Sequence, residues 1–194
     1  PGSSEVICGA SSSLIDFTPW FDTATDTDMP TMGFQGDYAT LNVDDLSPQS
    51  GASGRVQEGH DVLTEGGLLK VMAGTYSETT TIGKNLTLTA SGNPTIQNLI
   101  MNGTGKVMTV GGPFGISGAL TMTDGLIATT STNVITLLDG ATANTGATLS
   151  YVDGPMKAMH SAATAKTFNF PIGKSGTGWR YATLSLNQTS ASAT

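Results

Sequence analysis

The side chains that could do chemistry in this chain are few, and most lie near its start. Asp22, Asp26 and Asp28 stand close together among Thr hydroxyls and could supply part of the six to eight oxygens that Ca²⁺ takes. Their spacing lacks the Gly and the final Glu of a twelve-residue calcium loop, so any Ca²⁺ there would be structural. Asp44 and Asp45 are the only adjacent carboxylates. Neighbours on an extended chain point to opposite sides, which does not suit the paired carboxylates of glycoside hydrolysis. Beyond residue 78 the acids are Asp124, Asp139 and Asp153, each followed by Gly, where turn formation accounts for them.

His60 and His160 are 100 residues apart with no evident third ligand, which argues against zinc. Cys8 is the single cysteine, so no intrachain disulfide forms. It reads as a small buried hydrophobe, with an interchain bond as the alternative. No clear Ser/His/Asp grouping is visible, so nucleophilic catalysis has little support. Gly173-Lys174-Ser175-Gly176 has the end of a phosphate loop but neither its leading Gly nor a following helix. Trp20, Tyr151, Trp179 and Tyr181 could stack on sugars, though core or cap packing explains them as well. Asp22-Thr23-Ala24 fits a short O-glycosylation signal. Asn85-Leu-Thr87, Asn102-Gly-Thr104 and Asn187-Gln-Thr189 fit the N-glycan pattern, a short pattern in a Thr-rich chain. The expectation is that the chain is not an enzyme and carries no cofactor beyond that structural Ca²⁺.

Composition says what must position these groups. Of 194 residues only 12% are charged, while 49 are Thr or Ser and 25 are Gly. Too few charges rule out a coiled coil or helical bundle. A hydrophobic share of 38% rules out a disordered chain. A net charge of −7 argues against nucleic acid as a partner. No run of 18 apolar residues is present to span a membrane as a helix. Pro1–Glu5 has neither a basic start nor an apolar run, and the chain opens and closes in mid-pattern, so a mature form or a fragment of a longer protein is expected. Charge is uneven: residues 1–61 carry −9, and 62–194 carry +2. That asymmetry suits head-to-tail contact between copies or cation binding, with a solvated acidic loop as the plainer reading.

Pro19, Pro30 and Pro48 break up residues 1–50. Residues 51–66 form the one plausible helix, with Ser53 or Gly54 as cap and Val56, His60 and Leu63 on one face. From residue 68 short apolar runs alternate with Gly, Asn and Asp turns. Two series recur at about 20 residues: Leu88, Met108, Ile127 and Ile96, Ile116, Ile135. Such a double series predicts a solenoid in which each coil adds a rung. A β-sandwich competes, but does not explain the two registers. Stacking like over like favours branched Thr and Val and disfavours charge. Lys166–Pro171 and Arg180–Leu186 alternate cleanly around a Gly-rich link, as an antiparallel pair would.

Gly66-Gly67-Leu-Leu-Lys-Val71-Met-Ala73-Gly74-Thr75-Tyr76-Ser77-Glu78, continued by Ile82-x-Lys84-Asn85-Leu86, resembles the opening coil of right-handed parallel β-helices of the pectin-lyase-like type. Asp16-Phe17-Thr18-Pro19-Trp20 resembles a segment that closes such a helix. Tyr151–Lys157 with Phe168–Lys174 resembles a segment of large bacterial surface proteins exported by the type IX route. Together these imply an all-β chain: residues 1–40 an irregular acidic tail of a preceding unit, 41–152 a right-handed parallel β-helix with one short helix near its start, and 153–194 an antiparallel β cap or the start of a next module. They imply an extracellular or cell-surface protein that is structural or adhesive. Its partners would be copies of itself or neighbouring modules, in a homo-oligomer or filament, and glycans. A carbohydrate-binding or polysaccharide-degrading β-helix is the alternative. Ice binding would need Thr in regular array on one face, and the Thr residues are scattered.

Overall fold

A computed structural model describes residues 16, 18–21, 24–26, 34–46, 48–49, 51–161 and 164–187. Its centre is a β-solenoid of about five coils. Each coil lays one strand on each of two faces, and like strands pair in parallel down the stack.

The first face runs through β4 (Thr40–Val43), β5 (Leu68–Val71), β7 (Leu86–Ala90), the second half of β8 (Thr95–Val110), the second half of β9 (Phe114–Ala128), β12 (Ser150–Asp153) and β15 (Ile172–Lys174). The second face runs through β6 (Thr75–Ile82), the first halves of β8 and β9, then β10 (Ile135–Leu137) and β13 (Met156–Ala158), with β11 (Thr142–Ala143) beside β9. β8 and β9 each turn a corner, so runs that the sequence divides at Asn102-Gly103 and Asp124-Gly125 are continuous strands. Gly125 makes one corner possible. Its φ is +88°, which L side chains avoid, and a Cβ there would strike the Gly103 carbonyl oxygen.

Inside, side chains stack in columns. Leu41, Leu69, Leu88 and Val110 lie over one another, as do Leu86, Met108, Ile127, Val152 and Ile172. On the second face the column is Tyr76, Ile96, Ile116, Leu137 and Ala158. Ile96, Ile116 and Leu137 are fully buried, and each such side chain contributes about 1.5–3 kcal/mol. Two expected pairings shift by two residues. Leu88 pairs with Val110 rather than Met108, and Ile135 pairs with Phe114 rather than Ile116. A slip of two keeps every side chain on its own face of the strand, so the hydrophobic pattern cannot distinguish the registers.

The helix α1 is shorter than the expected 51–66, spanning Arg55–Val62, and it closes the amino-terminal end of the second face. Val56, His60 and Leu63 are buried as the spacing predicts. Gly54 is its N-cap residue and gives no side-chain bond. On the first face β1 (Trp20–Phe21) pairs antiparallel with the outer edge of β4, and β2 (Ala24–Asp26) pairs with β3 (Phe34–Gly36). The amino-terminal edges are therefore covered rather than open. At the other end β14 (Ala165–Phe170) pairs antiparallel with β17 (Ala182–Asn187), and β15 turns back into β16 (Gly178–Trp179). The antiparallel carboxy-terminal pair is thus present. The Gly-rich link forms a hairpin whose first strand is also the last parallel rung on β12.

Candidate functional site

The motif of the first coil fastens that coil to α1. Glu78 accepts the N–H groups of Val56 and Gln57, each at 3.0 Å, and so caps the helix from across the chain. At the other end of β6, Lys84 Nζ donates to the carbonyls of Leu63 at 2.8 Å and Asp61 at 3.2 Å. An anion at the helix start and a cation at its end both suit the helix dipole. Between them Gln57 Oε1 accepts the Thr81 N–H at 2.6 Å, and His60 Nε2 accepts the Gly83 N–H at 3.2 Å. Helix side chains thus satisfy the outer edge of β6, where a further coil would otherwise pair.

Because His60 Nε2 accepts, its hydrogen sits on Nδ1, facing Asp61 Oδ1 at 2.8 Å. Burial lowers the His60 pKa, and the bond to Asp61 opposes that shift. Tyr76 is buried with its hydroxyl 3.0 Å from the Met72 carbonyl and 3.2 Å from that of Val43. Burial, then the carboxylates of Asp45 and Asp44, push its pKa up. Asp44 accepts the Leu46 N–H at 3.0 Å and Asp45 the Thr75 N–H at 2.9 Å. Both carboxylates hold backbone N–H groups.

Polar residues at the corners bond from coil to coil. Asn144 accepts the Met122 N–H at 3.0 Å and donates to the Met122 carbonyl at 2.9 Å. Asn98 accepts the Ala119 N–H at 2.9 Å and donates to Thr79 at 3.1 Å. Asn85 accepts the Val107 N–H at 2.8 Å, and its amide donates to Glu65 at 2.7 Å, which engages the nitrogen an N-glycan would need. Lys106 reaches the same Glu65 oxygen at 2.8 Å. That ammonium first, and then the Asn85 N–H, holds the Glu65 carboxyl below the usual range. Asp124 accepts from Thr104 at 2.6 Å, and Asp153 lies 3.3 Å from Lys174. The later acids therefore tie neighbouring coils together, beyond their expected turn roles.

One grouping was not visible in the sequence. His160 and Ser161 meet Asp139, some twenty residues away. Ser161 Oγ donates to one Asp139 oxygen, and His160 Nδ1 faces the other at 3.4 Å. The Ser161 hydroxyl, and after it His160, holds the Asp139 carboxyl below its usual range. A nucleophilic serine must give its hydroxyl hydrogen to the imidazole. Here that hydrogen goes to the carboxylate, and His160 Nε2 faces the Thr164 carbonyl at 2.9 Å. In this arrangement the Ser161 hydroxyl is bonded to the carboxylate and not to the imidazole.

Of the aromatic residues named for sugar stacking, Tyr151 is core, 5% exposed. It packs where a Cβ on Gly173 would collide with its ring. Trp20 lies in β1. Trp179 and Tyr181 form a stacked pair, 4.9 Å between centroids, and Trp179 Nε1 donates to the Thr145 carbonyl at 2.8 Å. Tyr181 is 49% exposed. Asp22 and Asp28 lie outside the described residues, as does Cys8, and Asp26 enters only as backbone in β2. Among the described residues no three His, Cys, Asp or Glu side chains gather as a metal site. No helix of the described residues is long and apolar enough to cross a membrane. Comparisons with protein-family models, with curated proteins and with solved structures return no match for this chain.

Proposed function

We propose that this chain is a non-enzymatic structural or adhesive module of an extracellular or cell-surface bacterial protein, joined end to end with its neighbours into a fibre or repeat array. One observation carries the reading. The polar side chains at the coil corners, Asn85, Asn98, Asn144 and Asp124, are directed at the adjoining coil, so the chemistry of the surface is turned to holding a stack. The likeness of residues 66–86 to a pectin-lyase-like opening coil, and of 151–174 to surface proteins of the type IX export route, supports the bacterial surface as its setting. A second reading is a carbohydrate-binding module. The stacked Trp179–Tyr181 pair beside the exposed Arg180 favours it.

Electron microscopy of the purified protein, run beside a depolymerisation assay on a polysaccharide panel, separates the readings. Filaments or arrays inert toward every polysaccharide are expected. Monomeric particles that cleave one would overturn the structural reading.

A further inference from the structure

Side chains from successive coils meet at one oxygen. Glu65 precedes β5, Asn85 precedes β7, and Lys106 lies in β8 just before Val107. Glu65 Oε1 accepts from Lys106 Nζ at 2.8 Å, from Asn85 Nδ2 at 2.7 Å and from the Asn85 backbone N–H at 3.1 Å. The amine and the amide are therefore each one hydrogen bond from the same carboxylate oxygen, held side by side. The other end of the amide is engaged as well: Asn85 Oδ1 accepts the Val107 N–H at 2.8 Å. The fold fixes both partners. β7 and β8 pair from Leu86 and Met108 onward, so Asn85 and Val107 stand at the entry to that ladder. The Lys106 stem crosses Gly103, where a Cβ would come within 2.8 Å of its Cγ.

These are the parts of an amide exchange. A primary amine is a nucleophile once it has lost its proton, and a carboxylate in contact with it is the base that removes that proton. Lys106 and the Asn85 N–H keep the Glu65 carboxyl below its usual range, so Glu65 is in the form that accepts one. A backbone N–H on the amide oxygen polarises the carbonyl and stabilises the negative charge that develops there when the carbon is attacked. As a plain ion pair, Lys106 and Glu65 are 36% and 50% exposed, a setting in which such pairs add little to stability. The exchange runs once per molecule, so the small neutral fraction of an exposed lysine is enough over the life of the protein.

We propose that Lys106 and Asn85 join through an isopeptide bond, with Glu65 moving the protons. The Lys106 ammonium gives a proton to Glu65, and the freed Nζ lone pair attacks Asn85 Cγ. Negative charge collects on Oδ1, where the Val107 N–H holds it. Glu65 gives its proton to Nδ2 as the Cγ–Nδ2 bond breaks, and the departing ammonia takes the second Nζ proton and leaves as ammonium. A secondary amide, Nζ–Cγ, remains between the two residues, its oxygen still on Val107. Nothing is oxidised or reduced, and no co-reactant is needed. The bond staples one coil to the next, which suits the structural role proposed above but does not depend on it.

Intact-mass spectrometry of the native chain tests it, on fresh protein and through prolonged incubation at neutral pH. The mass is expected to settle one ammonia below the value the sequence dictates. Trypsin is expected to stop cutting after Lys106 while still cutting after Lys84, because an acylated lysine is no longer a substrate. Lys106→Arg should keep the full mass. Glu65→Gln, with a circular dichroism spectrum like that of the native chain, should form the bond about a hundredfold more slowly, as loss of a proton-transfer group does. A native chain that keeps its full mass throughout would overturn the proposal. So would an ammonia loss that persists in Lys106→Arg, since Asn102-Gly103 can shed ammonia by closing on its own backbone. Loss of water instead of ammonia would place the bond on Glu65 and overturn the assignment to Asn85. Bond formation at the native rate in Glu65→Gln would overturn the part given to Glu65. Each readout is a mass within one chain, so failure here leaves the fibre-forming reading to its own test by microscopy.

Discussion

Glu78 and Val56 stand 22 residues apart, yet the carboxylate of the first accepts the backbone N–H of the second at 3.0 Å. The other Glu78 oxygen takes the Gln57 N–H at the same distance. Gly54 offers no side chain for that task, so the helix start depends on the coil beneath it. Glu78→Ala is expected to cost about 1–2 kcal/mol, as loss of a helix cap does. Urea unfolding should show the loss, and Glu78→Gln, which keeps an acceptor, should lose less.

His60 gives the chain a pH dependence of known sign. Its folded pKa lies below the ordinary imidazole value of about 6.5, because burial disfavours the cation and Nε2 must stay free to accept the Gly83 N–H. The unfolded chain therefore takes up the proton first as pH falls. The contribution of this group is present in full above about pH 6.5 and is lost as pH falls from there toward the lower folded value. Denaturation midpoints at pH 7.5 and pH 5.5 should differ more for the native chain than for His60→Gln. Equal differences would show that another group sets the slope.

How far the fold was legible follows from the distance over which each feature is encoded. The recurrence of Ile96 and Ile116 at 20 residues is a true pairing, because both point into the same column. Leu88 and Met108 also recur at 20, yet Met108 pairs with Leu86. Both leucines face inward, and only the length of the turn decides between them. The helix face was readable from Val56, His60 and Leu63, since those contacts are local in spacing. Its cap was not, because Glu78 reaches it through the fold. The Asp139, His160 and Ser161 grouping escaped for the same reason: nothing local in the sequence brings residue 139 to residue 160.

Asn144 is the strongest test of bonding between coils. It meets both the N–H and the carbonyl of Met122, as an extra strand residue would. Asn144→Ala leaves both groups to water or unpaired, at a cost of about 1–2 kcal/mol for two bonds. Asn144→Asp keeps the acceptor and loses the donor, so its melting temperature should fall between those of the native chain and the alanine variant. An alanine variant as stable as the native chain would mean that water replaces the amide without loss.

The columns make a sharper claim about direction. Ile116 is fully buried between Ile96 and Leu137, whereas Ile100 pairs with Thr81 and Thr121 on the outward side of the second face. Ile116→Ala removes three carbons from a stack that cannot close around the gap, because the coils above and below are fixed by their ladders. It should cost about 2–5 kcal/mol. Ile100→Ala removes the same atoms from a half-exposed position and should cost about 1 kcal/mol. The ratio of the two losses in urea unfolding, with m-values compared to confirm the same cooperative unit, reads the inward and outward alternation of β8 and β9 directly. Equal losses would place both isoleucines in comparable surroundings and contradict the pairing that stacks Ile96, Ile116 and Leu137 in one column.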